Sequence, residues 1–287
     1  MSDAPIPADA AALLAAHDRT VVAQRPPAPS RALIRFRIWS AACAAAYVVT
    51  IMLIATTPNP GSSVNTTLVP VAAFILASAL ATETEQRFAV RRRARAIVPI
   101  ALGLVAAAFV VIFWGTRTPA PLWAAALFGV AAFVALALPE WRRLRSTRPA
   151  DDTRDTPWRN RPLSPETRLI TWGMAAYLGM LLVLLRFDGG AEGQPLVFLA
   201  LYGPLIFLTF VPRWGLRRLG AEWGPLHWAA FGVGLVAIMV VAPMTHAGLP
   251  GSDIACIGAG IAVFLLLGLC AQLPLRGSSG DPIRPAR

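Results

Sequence analysis

FRIWSAACAAAYVVTIMLIAT, residues 36–56, decides the fold. It carries one charge, Arg37, at its leading end, and a helix needs roughly 20 apolar residues to cross about 30 Å of hydrocarbon. Arg31 and Arg35 stand just ahead of it and Trp39 lies at its edge. Basic residues and an indole are what a membrane–water boundary favours. Seven further stretches of the same kind follow, at 64–82, 96–114, 120–139, 168–186, 195–212, 224–244 and 253–273. The expected fold is therefore all-α: a polytopic membrane bundle of eight transmembrane helices.

The 26 basic residues are all arginine, and all but Arg117 and Arg186 fall in alternate loops. The arginine-rich side of a membrane protein is the cytoplasmic one, so both termini are expected in the cytoplasm. The net charge of +11 and a pI near 11.3 would suit nucleic acid. These charges, however, sit in short loops beside spans, where they fix orientation and meet anionic headgroups. Nucleic acid is set aside as a partner. Hydrophobic content of 56% with 14% charge excludes an ordinary soluble chain. Arginine as the sole cation, with heavy alanine usage, points to a GC-rich bacterial genome and a plasma (inner) membrane. The first 35 residues hold no apolar run, so the stretch at 36–56 is expected to act as an uncleaved insertion signal.

Five regions follow. Residues 1–35 are a cytoplasmic lead, with a short helix from Asp9 to about Gln24 that reads either as a weak membrane-surface helix or as a simple extension. Residues 36–139 hold four spans, 140–167 a cytoplasmic linker, 168–273 four more spans, and 274–287 a cytoplasmic tail. Ser164-Pro165-Glu166 has the order of a helix start: a capping hydroxyl, proline in the first turn, and an acid near the positive helix end. Ala45-Ala46-Tyr47 and Ala175-Ala176-Tyr177 match at an offset of 130 residues. If the halves are duplicates, four spans each gives them parallel orientation, related by an axis along the membrane normal.

Chemistry is scarce. By this segmentation no Asp, Glu, Arg or His lies near the middle of a span, where a charge costs about 2.5–3.5 kcal/mol. That argues against a proton-driven carrier. Cys43, Cys256 and Cys270 fall inside spans without metal spacing. His17, His227 and His246 are scattered, so no metal, cofactor or catalytic residue is assigned. His246 and Asp253 share one outer loop, but two ligands make no zinc site. Glu83, Glu85, Glu140 and Glu222 lie at inner span ends beside arginines. They read as solvated flanking charges or, less simply, as acid–base groups of a headgroup enzyme. Arg91, Arg92, Arg93 and Arg95, with Arg142 and Arg143, are the expected contacts for anionic lipid.

The strongest functional hint is in the backbone. Pro70 and Gly203-Pro204 interrupt the second span of each half. A proline within a helix frees the carbonyl four residues earlier, here those of Thr66 and Ala200. Interruptions in corresponding spans of two halves are the sequence pointer to a transporter's binding site. Tyr47, Tyr177 and Tyr202 are expected to face the space between the first, second, fifth and sixth spans and to offer phenols to a substrate. The favoured class is a non-enzymatic, permease-like module for a neutral or amphipathic solute. The alternative is a membrane-embedded partner or regulatory subunit for an unidentified protein, with an interfacial lipid enzyme third.

Overall fold

The computed structural model describes residues 31–57, 64–87, 122–146, 162–187, 190–210 and 215–273, and among them every regular element is a helix. In chain order they are α1 (Arg31–Thr56), α2 (Asn65–Arg87), α3 (Leu122–Ser146), α4 (Pro165–Leu184), α5 (Gly190–Phe210), α6 (Leu216–Glu222), α7 (Pro225–His246) and α8 (Ser252–Gln272). Six of them (α1, α2, α3, α4, α7 and α8) are long and apolar enough to cross a membrane, and α5 holds a shorter apolar run, Gln194–Leu208. The expected span at 96–114, the helix expected in the lead, and Arg91, Arg92, Arg93 and Arg95 lie outside the described residues.

Span boundaries differ from the hydropathy reading where charge is neutralised locally. α1 begins at Arg31 rather than 36, and α3 runs through Pro139 to Ser146. Arg37, on α1, meets Glu85 of α2 at 3.3 Å and Glu140 of α3 at 3.5 Å, and Glu140 also takes Arg143 at 2.9 Å. Arg37, Glu85 and Glu140 are only 14%, 13% and 13% exposed. This ion network pins the inner ends of three helices together. α4 starts where its sequence indicates: Ser164 Oγ accepts the Thr167 N–H at 3.3 Å, with Pro165 in the first turn.

Two helix pairs pack very closely, α1 with α3 and α4 with α8. In the second pair Gly179 meets Gly260, and a Cβ built on either would stand 2.9 Å from the other's carbonyl oxygen. In the first pair, a Cβ on Gly129 would overlap the Val49 side chain. At the α4–α8 crossing glycine is required because the backbones themselves touch, whereas at Gly129 the space is taken by the Val49 side chain. α7 and α8 are joined by a short turn in which Gly248 (φ 63°) and Gly251 (φ 82°) adopt left-handed backbone.

At the end of the bundle where α1 and α7 begin lies an aromatic layer. Trp228 meets Phe36, Trp39, Trp223 and Phe231 edge-on at 4.7–5.7 Å. Trp223 is almost fully buried and donates its indole N–H to Thr171 at 3.0 Å, so its polar edge is satisfied. Beside it Glu222 accepts the backbone N–H of Ser164 at 2.9 Å and its hydroxyl at 3.0 Å. Arg218 pairs with both Glu166 and Glu222. α6 lies tight on α2, where a Cβ on Gly220 would sit 2.9 Å from the Thr84 nitrogen.

Candidate solute site between four helices

Three phenols come from three helices, α1, α4 and α5. Tyr47 lies ten residues beyond Arg37 on α1 and Tyr177 nine beyond Arg168 on α4, which at about 1.5 Å per residue puts both roughly 14 Å above the inner arginines. Tyr202 lies on α5, one residue past Leu201, whose carbonyl accepts from the Tyr177 hydroxyl. The Tyr47 ring stacks on Phe74 of α2 at 4.3 Å, and Tyr202 stacks on Phe198 at 5.7 Å. Phe74 is one helical turn past Pro70, and Tyr202 two residues before Pro204. Tyr47 thus meets α2 through Phe74, and Tyr177 meets α5 beside Tyr202, while Pro70 and Pro204 lie on those same two partner helices.

The phenols are not equivalent. Tyr177 is 4% exposed, and its hydroxyl donates to the Leu201 carbonyl of α5, one residue along from the Ala200 carbonyl that Pro204 leaves without a helical partner. Tyr47 and Tyr202 are half-buried. Behind them the space is filled: Val69, Ala72, Ala73, Leu76, Leu178, Leu181 and Leu201 are fully buried. Ala200 is partly buried and Pro70 buried.

The Thr66 hydroxyl makes a separate contact. At the outer end of α2 its hydroxyl stands 3.1 Å from Nδ1 of His246, the last residue of α7, while His246 Nε2 lies 2.9 Å from the Thr57 carbonyl. A carbonyl can only accept, so in the neutral ring Nε2 carries the proton and Nδ1 accepts from Thr66. Asn65 Nδ2 donates to the Phe187 carbonyl at 2.5 Å and to that of Leu184 at 3.4 Å. His246, 8% exposed, is therefore a buried clasp between the outer ends of α1, α2 and α7 rather than loop polarity. Asp253, its sequence neighbour across the loop, faces Arg186 instead, at 3.7 Å.

A further interior hydrogen bond carries no signal in hydropathy. Thr50 on α1 donates to the Met239 carbonyl of α7 at 3.1 Å, with the Ala46 carbonyl of its own helix at 2.9 Å. Met239 is four residues before Pro243, so its carbonyl is the one that Pro243 releases. The rule that singled out Thr66 and Ala200 applies to Pro243 equally; position near the span's end concealed it.

Of the carboxylates at these helix ends, Glu85, Glu140 and Glu222 are held by arginines and hydroxyls, as described above. Glu222 lies outside the spans. Burial pushes its carboxyl up, but the Ser164 N–H, the Thr167 and Ser164 hydroxyls and Arg218 outweigh this and hold it below the ordinary glutamate value. Arg142 is exposed; Arg143 is exposed and paired with Glu140. Arg145 lies over the Trp141 ring at 5.8 Å, a cation–π contact suited to the headgroup layer. Among the described residues no group of three His, Cys, Asp or Glu side chains could hold a metal ion.

Long apolar helices, charges confined to their ends, and buried hydroxyls spent on backbone carbonyls define a multi-pass helical membrane protein. Comparison with protein-family models, curated proteins and solved structures finds no match to this chain.

Proposed function

We propose that the protein is a non-enzymatic, permease-like module of a bacterial plasma membrane that takes a neutral or amphipathic solute between α1, α2, α4 and α5. The observation that carries this reading is that Tyr47 packs on α2 one turn from Pro70 and Tyr177 bonds α5 beside Tyr202 and Pro204, at a depth without charged groups. Phenols and kink-freed carbonyls are the hydrogen-bonding groups available there, and polar groups in hydrocarbon are stable only when paired or wetted. The topology proposed with it has eight spans, arginine-rich loops and both termini cytoplasmic, and Arg142, Arg143 and the 91–95 cluster toward anionic lipid.

Two parallel halves belong to the same proposal. Their support is the crossing of first and fourth spans in each half: Val49 and Gly179 stand at the 130-residue offset of Tyr47 and Tyr177, and Gly129 and Gly260 within one residue of it. α2 and α5, the proline-bearing second spans, touch, as helices beside a shared axis would.

The test replaces the three native cysteines by alanine and introduces Tyr202→Cys as a target for N-ethylmaleimide. Neutral compounds are expected to protect it and charged ones not, and a protecting compound is expected to exchange faster across vesicles containing the protein. Protection by no neutral compound, or by charged ones equally, overturns the reading. The partner-subunit alternative would then lead. Its support is the packed core together with the broad apolar outer faces of α3 and α8, where Trp123, Val130, Ile254 and Ile261 are each more than half exposed.

A further inference from the structure

We infer that the occupant of the Tyr47–Tyr202 region is a lipid-soluble, uncharged compound bearing a carbonyl on a flat ring, and that it enters sideways from the bilayer. This rests on the solute-site reading above and narrows it. Three features of the region each constrain the ligand.

The first is donor surplus. The Tyr177 hydroxyl is consumed by Leu201, whereas Tyr47 and Tyr202 make ring stacks but no hydrogen bond among the described residues. An O–H group at hydrocarbon depth demands an acceptor, and acyl chains supply none there. The complementary ligand group is an acceptor such as a carbonyl oxygen.

The second is shape. Both phenols are braced flat against phenylalanines, at interplanar angles of 11° for Tyr47–Phe74 and 23° for Tyr202–Phe198. Rings held this way present flat faces and edges, against which an aromatic or quinonoid ring packs better than a branched or sugar-like body.

The third is access. The core faces of α2 and α5 are closed by fully buried Val69, Ala72, Leu76 and Leu201. On the bilayer side of α5, however, Phe198, Leu199, Ile206 and Phe207 are 48%, 67%, 56% and 59% exposed. Tyr202 lies between these residues in sequence and is itself only half-buried. The approach at phenol depth is thus through hydrocarbon, which only an uncharged, lipid-soluble molecule reaches cheaply.

The experiment uses the full chain in lipid nanodiscs and 4-octylbenzophenone, an aromatic ketone that is both ligand mimic and photolabel. Labelling is expected to saturate and to map to the segments bearing Tyr47, Phe74 and Tyr202. Decyl-1,4-benzoquinone should suppress it, and decylbenzene, matched in tail but lacking an acceptor, should not. Tyr47→Phe combined with Tyr202→Phe keeps both rings and removes both donors; it should weaken the apparent affinity about tenfold, as the loss of two modest hydrogen bonds implies. Saturable labelling at these segments that decylbenzene competes equally, or that the double phenylalanine variant leaves unchanged, overturns the carbonyl inference and leaves the solute site standing. Unsaturable labelling spread over lipid-facing residues such as Leu199 and Ile261 overturns both.

Discussion

Replacing Thr50 by valine removes one hydroxyl from the middle of the bundle and keeps the side chain's shape. Thr50 donates across the α1–α7 interface to Met239 at 3.1 Å, and Pro243 denies that carbonyl its helical N–H. Interhelical side-chain hydrogen bonds in membranes average about 0.6 kcal/mol, with a maximum near 1.7, and a carbonyl left unpaired in a buried site costs about 1–3 kcal/mol. The Thr50 hydroxyl also lies 2.9 Å from the Ala46 carbonyl, so its one proton is shared and the low end applies. Thr50→Val should therefore cost about 1 kcal/mol, roughly a fivefold shift in the unfolding equilibrium. Unfolding by sodium dodecyl sulfate in mixed micelles measures it. The decisive control is Pro243→Ala, which returns an N–H to the Met239 carbonyl. In that background Thr50→Val should cost less than half as much. An equal cost in both backgrounds, or none in the native one, refutes the argument that Thr50 answers a proline-freed carbonyl.

Glycines at the α4–α8 crossing should behave oppositely to one facing open space. Gly260→Ala forces a Cβ to 2.9 Å from the Gly179 carbonyl oxygen, whereas Gly173 has nothing within 4 Å; the first should lose about 1–3 kcal/mol and the second gain up to about 1 kcal/mol from helix propensity in the same unfolding assay. Arg37→Met takes one partner from Glu85 and one from Glu140, which keeps Arg143, and should destabilise by up to about 3 kcal/mol, with much of the loss recovered by adding Glu85→Gln and Glu140→Gln, as read by thermal unfolding in detergent. Glu222 has its folded pKa depressed from 4.5, so its stabilising contribution is present above that value and disappears as pH falls through the lower folded one; Glu222→Gln should reduce thermal stability at neutral pH and converge with the native protein in acid.

The spans were legible because hydrocarbon imposes a length and an apolar composition that 36–56 or 253–273 satisfy alone. The α4 start was legible for a local reason too, since Ser164 and Pro165 act through backbone groups within one turn. What hydropathy could not supply was the partner of each polar residue. Arg37, Glu85 and Glu140 read as separate solvated ends, yet they converge because α1, α2 and α3 bring their inner termini together, a long-range fact with no local signature. His246 read as one of three scattered histidines for the same reason: its partners, Thr57 and Thr66, are far away in sequence. Helix ends were misjudged where an ion pair, as at Glu140–Arg143, lets a helix continue past its apolar stretch. The tyrosines were found through a rule about prolines rather than about phenols. That same rule, carried to Pro243, would have found Thr50 and Met239.

The account depends most on Tyr47 and Tyr202 sharing one region although they lie in different halves of the chain. In a protein whose Cys43, Cys256 and Cys270 are replaced by alanine, Tyr47→Cys and Tyr202→Cys together place a thiol at each phenol position. A short bifunctional maleimide should join them rapidly in native membranes, 4-octylbenzophenone should slow that reaction, and pairing Tyr47→Cys with a cysteine at the outward-facing Trp123 should give no such product. Failure of the 47–202 pair to join, or joining at a rate that no neutral compound alters, would contradict the proposed site.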